Sequence, residues 1–418
     1  MINLSISATA SNQGKTILTT ALLYYFRESV RPFKIGPDFI DPQFHKMVCG
    51  TDSVNLDSFI MSENQVSWLY NHYSNKKVSI LEGVMGFYDG DNKGCSAYSV
   101  SKLLNVPTIL ILDGSGSYIT ISAILKGLIE YKKDNTIKAV VLNNLSSIMH
   151  FNLIKKQIED DHKNIIVLGW IERKLSSLNS THLGLDLEDL SKIEQISKEV
   201  LEHIDMKSLL KIGMTNNKKI LNYPFPKIKK VDKKLAIIYD KNFSFLYYDN
   251  LCFLKEVFRE VVIVSSINDE VISKDCDSVY ICGGYVETPK AYNAVKKSIN
   301  FKKSLIAHSK TKPIYAECAG LLYLSNRVDE KEMSGILDIN FILDSRFNRL
   351  GYYYNEKGFK GHAFHYSKPT KDTLEKGFDI LSKTLNGKGI KGSWQSRDKK
   401  IFGTYLHSMF RSQDIWLS

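Results

Sequence analysis

Two short segments set reactive side chains where backbone geometry would sharpen their chemistry. Ser7-Ala-Thr-Ala-Ser-Asn-Gln-Gly14-Lys15-Thr16 follows an apolar run and leads into a helical pattern. In a strand–loop–helix setting, backbone N–H groups and the helix dipole face a phosphate; Lys15 adds a point charge and the Thr16 hydroxyl can hold Mg²⁺. The common form of this loop has a glycine where the chain has Thr9. The second segment, Ile314-Tyr-Ala-Glu317-Cys318-Ala319-Gly320, puts a cysteine on a strand-to-helix turn. A thiol on such an elbow is expected to be exposed, with a pKa lowered by the helix N-terminus. Gly403-Thr-Tyr-Leu-His407 offers a general base, and Gly283-Gly284 after Ser278-Val-Tyr-Ile-Cys offers a turn suited to oxyanion donors. Cys318 alone would read as a buried structural thiol. With the elbow, the glycine pair and His407, it reads as a nucleophile.

Two acidic segments follow further apolar runs: Lys34-Ile-Gly-Pro-Asp38-Phe-Ile-Asp41-Pro42 and Glu82-Gly-Val-Met-Gly-Phe-Tyr-Asp89-Gly90. Ligands of open α/β sheets bind outside the carboxyl ends of the strands. Carboxylates there can take Mg²⁺ and offset phosphate charge. Singly, each acid is an ordinary turn or cap residue. Beside a Gly-Lys-Thr loop they are candidate ligands.

These groups must be positioned by strands and helices. Asn3–Ser7, Pro32–Ile35, Val78–Glu82, Thr108–Asp113, Lys138–Asn143 and Ile165–Trp170 are short apolar runs without strict alternation, as in a parallel sheet buried on both faces. Ile17, Leu18, Ala21, Leu22, Tyr25 and Phe26 form a stripe at helical spacing. A second series comprises Leu235–Tyr239, Val261–Ser265, Ser278–Cys282 and Pro313–Ala316. The expected fold is α/β, with two open, mostly parallel sheets carrying helices on both faces, one per domain. The domains are expected at 1–210 and 234–418. Residues 211–233 form a linker, marked by clustered lysines and Pro224-Phe225-Pro226.

Composition narrows the function. The chain has 418 residues, 43% apolar and 24% charged, which suits a soluble two-domain protein. No apolar run reaches the roughly 18 residues that span a bilayer, and the start lacks a secretory signal pattern. Six scattered cysteines without a CxxC pair suggest reduced thiols in the cytoplasm. The net charge of +11 is diffuse, with no basic stripe or nucleic-acid module, so neither nucleic acid nor membrane is an expected partner. The sequence admits a homodimer without specifying one.

Taken together, the chain resembles the cobyrinic acid a,c-diamide synthase family over nearly its whole length. The resemblance is carried by Lys34–Pro42, Asn55-Leu-Asp57, Glu82–Gly90, His182-Leu-Gly-Leu185, Phe243-Ser-Phe-Leu-Tyr-Tyr248, Gly283-Gly284-Tyr285, Ala316-Glu-Cys-Ala-Gly320 and Phe364-His-Tyr-Ser367. It implies a dethiobiotin-synthetase-like ATPase domain joined to a class I glutamine amidotransferase domain. Cys318 would attack the glutamine amide, with His407 as acid/base. ATP would phosphorylate carboxylates of a corrinoid, and ammonia would displace the phosphate. By the same resemblance, Gly14, Lys15 and Thr16 bind phosphate and Mg²⁺, and Asp38 and Glu82 are metal ligands. Asp41, Asp89 and Lys34 belong to the amidation site, and Asn143 reads adenine.

The chain departs from that pattern at Ala319 (usually Gly), Ala363 (usually Glu), Thr181 (usually Arg) and Val286 (usually Pro). Met409 stands where most class I amidotransferases have the Glu that orients the histidine, so a weakly oriented base is expected. The same chemistry on hydrogenobyrinic acid or nickel-sirohydrochlorin fits equally well. A partition-type ATPase switch would leave Cys318, Gly283-Gly284 and His407 unexplained. Ala319 and Met409 also raise the alternative of an impaired glutaminase that draws on free ammonia.

Overall fold

The computed structural model describes residues 1–175, 190–215, 221–372, 374 and 379–413. Thr181, the His182–Leu185 segment and part of the expected linker lie outside the described residues. The chain divides into two compact units, Met1–Pro224 and Phe225–Ser418.

The first unit holds β1 (Ile2–Ala8), β2 (Val30–Ile35), β3 (Val54–Leu56), β4 (Val78–Gly83), β5 (Thr108–Asp113), β6 (Ile137–Leu145) and β7 (Ile166–Glu172). They form one parallel sheet in the order β3-β2-β4-β1-β5-β6-β7. Every residue of β2 and β4 is buried, although successive side chains point to opposite faces. Both faces are therefore covered, which is why these strands read as unbroken apolar runs. Helix α1 (Lys15–Tyr25) lays Leu18, Ala21 and Leu22 into the core beneath the sheet. β3 escaped the sequence reading because three residues centred on an asparagine carry no periodic signal.

The register explains where the charged residues meet. Ile6 of β1 pairs with Glu82, and Lys34 of β2 pairs with Glu82 from the other side. Central position and parallel direction bring the loop after β1, the acid of β4 and the lysine of β2 to one edge.

The second unit contains β8 (Val231–Ile238), β9 (Phe258–Val264), β10 (Ser278–Ile281) and β11 (Ile314–Glu317). Its main sheet runs Ser393–Gln395, Ile401–Thr404, β11, β10, β8, β9, parallel except for the first strand. The α/β expectation of open, mostly parallel sheets thus holds in each unit. The strand Ile401–Thr404, which leads to His407, had not been anticipated. It is four residues long, follows two lysines and contains Gly403, so its strand signal is weak. Two further four-stranded sheets also went unforeseen; one pairs Arg349–Tyr354 with Lys360–His365. Among the described residues, no helix is long and apolar enough to cross a membrane.

Candidate active sites

In the first unit the loop after β1 turns on Gly14, whose φ of +97° is a left-handed conformation. A Cβ there would also lie 2.5 Å from Asn143 Nδ2, so glycine is required twice over. Asn143 is buried and donates to the Gln13 carbonyl at 2.9 Å, bracing the loop. With Asn144, Ile17 and Arg173 it also lines a cavity of about 390 Å³. Lys15 Nζ donates to the Ala10 carbonyl at 2.8 Å. Burial and the neighbouring Lys34 ammonium hold Lys15 down at about 8, against the charges of Glu82, Asp41 and Asp89.

Thr16 Oγ1 donates to Glu82 Oε1 at 2.9 Å. Glu82 is fully buried, and its other oxygen lies 2.7 Å from His45 Nε2. Burial alone would push Glu82 up, but Lys34, His45 and Thr16 bring it to about 2. Lys34 sits at the centre of three carboxylates: it bonds Asp41 directly, with Asp38 at 3.6 Å and Glu82 at 3.5 Å. Burial works against its charge, but the three acids hold its pKa well above the usual lysine range. Asp41 is the opposite case, with burial and the Glu82 charge pushing it up to about 6 despite Lys34. Asp38 caps the turn into α2 (Ile40–Cys49), accepting from the amides of Ile40 and Asp41. Asp89 accepts from the Gly86 amide, and a Cβ on Gly86 would touch both Asp89 and the Thr9 carbonyl. The structure thus gathers Lys15, Thr16, Lys34, Asp38, Asp41, Glu82 and Asp89 around one loop. His45 had not been singled out from the sequence; only the fold brings it to Glu82.

In the second unit Cys318 follows β11 directly, with φ 44° and ψ −103°. A non-glycine residue there is strained, as on a nucleophile elbow. Its amide donates to the Thr404 carbonyl at 2.8 Å, and the backbone amides of Ala319 and Gly284 face the sulfur. Gly283 lies directly against the histidine: a Cβ there would sit 2.4 Å from His407 Cε1. The thiol itself corrects two expectations. It is only 6% exposed, and burial together with the charge of Glu287 raises its pKa, overriding those two amides. The Ala319 amide, at the start of the helix Ala319–Leu324, does lower it, but burial outweighs that effect.

A third correction concerns His407, expected to be weakly oriented. His407 Nδ1 lies 2.8 Å from Glu317 Oε2, and both residues are buried. The carboxylate that position 409 lacks is supplied by Glu317, the residue immediately before Cys318. Glu317 is itself held by Tyr315 Oη, 3.3 Å from its other oxygen. Pairing of Glu317 with Thr404 across adjacent strands makes this arrangement possible. His407 is further fixed by two backbone bonds to His362, of 2.8 and 2.9 Å. Beside it, the His365 ring stacks on Tyr405 with centroids 3.5 Å apart, and Ser367 Oγ lies 2.7 Å from Tyr405 Oη. Burial and the Arg349 charge hold His365 down at about 3, so it packs as a neutral ring. The Phe364–Ser367 motif therefore braces the segment carrying His407.

Comparison with known proteins follows the same division. Residues 234–415 match the CobB/CobQ-like glutamine amidotransferase domain. Proteins named cobyrinate a,c-diamide synthase are similar over nearly full length. That of Saccharolobus solfataricus is 35% identical, covering 98% of each chain. That of Caldanaerobacter subterraneus subsp. tengcongensis is 34% identical, covering 96% of this chain and 94% of that protein. That of Methanococcus maripaludis is 32% identical over 96% of this chain and 95% of that one. Identity at this level along the whole length places the chain in the cobyrinate a,c-diamide synthase family.

Proposed function

We propose that this chain is an ATP- and glutamine-dependent ligase that converts the a and c side-chain carboxylates of cobyrinic acid, or a closely related macrocycle, into carboxamides. One observation carries the reading: a single chain holds both a carboxylate-rich phosphate loop and a strained cysteine beside a carboxylate-held histidine. Residues 1–210 are assigned to ATP and the carboxylate substrate, and 234–418 to glutamine. The division near Pro224 and the domain match from 234 to 415 support this assignment.

In the glutamine half, Cys318 gives its proton to His407 and its sulfur adds to the amide carbon. The amides of Gly284 and Ala319 are placed to receive the developing oxyanion, and Gly283 keeps the histidine close. His407 then protonates the departing ammonia, and water hydrolyses the thioester to glutamate. Glu317 holds the ring and stabilises its charged form.

In the other half, the γ-phosphoryl of ATP passes to a substrate carboxylate, and ammonia replaces phosphate at the acyl carbon. Lys15 and the loop amides take the phosphates, while Lys34 offsets charge among Asp38, Asp41 and Glu82. Asp41 and Asp89 are placed to orient the substrate side, and Asn143 to border the base pocket. Thr16, Asp38 and Glu82 would hold Mg²⁺, which would neutralise charge on the transferring phosphoryl group. The donor set fits: Thr16 Oγ1 lies 2.9 Å from Glu82 Oε1, and Lys34 Nζ lies within 3.6 Å of both Asp38 and Glu82. Among the described residues, no three His, Cys, Asp or Glu side chains form a metal cage. That suits Mg²⁺, which takes one or two carboxylates and completes its shell with phosphate and water.

The test is mass spectrometry of a reaction with cobyrinic acid, ATP, Mg²⁺ and amide-¹⁵N glutamine. The expected product carries two labelled amides. Intact glutaminase with no labelled corrinoid would keep the amidotransferase and move the substrate to another macrocycle.

A further inference from the structure

Glu287 lies in the loop between the Gly283-Gly284 turn and the Pro289–Lys296 helix. Its Oε2 is buried without a hydrogen-bond partner among the described residues. Burial raises its pKa, opposed by its own backbone amide and the charge of Lys331. The same carboxylate is the strongest charge acting on Cys318, ahead of Glu317, and it acts on Tyr405 too. Glu287 follows by three residues the Gly284 whose amide faces the sulfur, which brings its charge near the thiol.

This arrangement makes poor sense without a ligand. Leaving a buried carboxylate oxygen without a partner is costly. A negative charge beside a thiol that must ionise also works against the reaction. Both penalties vanish if a cation arrives with the substrate. Glutamine brings one in its α-ammonium group, at the opposite end from the amide that Cys318 attacks.

We propose that Glu287 receives the α-ammonium of the glutamine donor, so that the acid selects an α-amino acid amide and is neutralised only when that donor is in place. This rests on the reading of Cys318 as the glutaminase nucleophile. In the free protein burial holds the sulfur protonated and the Glu287 charge adds to that effect. With the donor bound, the ion pair offsets that charge, the S–H proton moves to His407, and the sulfur electron pair forms the bond to the amide carbon. The thiol is thus held in reserve against adventitious alkylation and oxidation.

The test uses the full chain and two donors, glutamine and 4-carbamoylbutanoate, which carries the same amide without the α-amino group. Wild type should strongly prefer glutamine. In Glu287→Gln, kcat/KM for glutamine should fall on the order of 10–100-fold, while that for 4-carbamoylbutanoate should hold or rise. Without donor, alkylation of Cys318 by iodoacetamide at neutral pH should be faster than in wild type. A structural role would not produce these opposite signs. Melting should occur no lower than in wild type, and Glu287→Asp should keep part of the preference. Equal losses on both donors, or slower alkylation, would overturn the proposal. If wild type hydrolyses neither donor, the glutaminase reading falls first and takes this proposal with it, before any variant is made.

Discussion

Around Lys15 the fold crowds two lysines and four acids at one sheet edge, whereas around Cys318 the strongest charges are the carboxylates of Glu287 and Glu317. At the first site opposite charges face one another, so burial is tolerated and Glu82 stays ionised with its pKa near 2. At the second site two backbone amides oppose burial and like charge without matching them, and the thiol is pushed up. The difference teaches that the two halves prepare for chemistry in different ways. Phosphoryl transfer needs charge held ready in advance. A sulfur nucleophile can wait protonated, provided that a strained elbow and an oriented histidine are in place.

The contrast can be broken most sharply at Cys318. Cys318→Ser should lower glutamine-driven amidation by about 10⁴-fold or more while amidation from ammonium salts continues. Loss of both would mean that the two regions do not act separately. Glu317→Gln should lower glutaminase kcat by about 10²–10⁴-fold with little change in KM, because the histidine loses its orienting charge. A wild-type rate in that variant would restore the weakly oriented base expected from Met409. Lys15→Ala should cost about 10²–10³-fold in ATP-dependent amidation from either nitrogen source, with glutaminase partly retained. Equal loss of glutaminase would point to tight coupling between the halves.

The smallest effect is one of stability at Asp41. Its pKa stands near 6 in the folded protein, above the ordinary aspartate value of 3.8. The folded state therefore binds this proton more tightly than the unfolded one, so the group favours folding in acid and loses that contribution as pH rises to about 6. Asp41→Asn lacks the group. In metal-free buffer its unfolding free energy should gain on wild type from about pH 4 to 6 and then level off, by on the order of 1–3 kcal/mol. A flat difference would show that Lys34 fully offsets Asp41.

Legibility differed between the halves in the same way. In the first unit, unbroken apolar runs marked six of seven strands, and the motif residues fall at the ends of those runs. In the second, the Cys318 elbow and the glycine pair were readable because tight turns demand particular residue types locally. The strand leading to His407 was not, because lysines and a glycine erase its pattern. The partnership of Glu317 with His407 joins residues far apart in sequence, and position 409, where the eye looks for an orienting acid, misleads. His45 was hidden in the same way, as one polar residue on an otherwise ordinary helix.

The sequence by itself determined which reactive groups exist and which local turns can hold them, because phosphate loops, elbows and buried strands are written in residue types a few positions apart. Tertiary structure alone decided the ionic environment of each group. Strand register set Lys34 against Glu82 and Glu317 against Thr404, and burial then raised Cys318 and Asp41 while the Lys34 charge lowered Glu82. The physical reason is that a pKa depends on desolvation and on charges brought within a few ångströms, and neither is encoded in any single segment of chain.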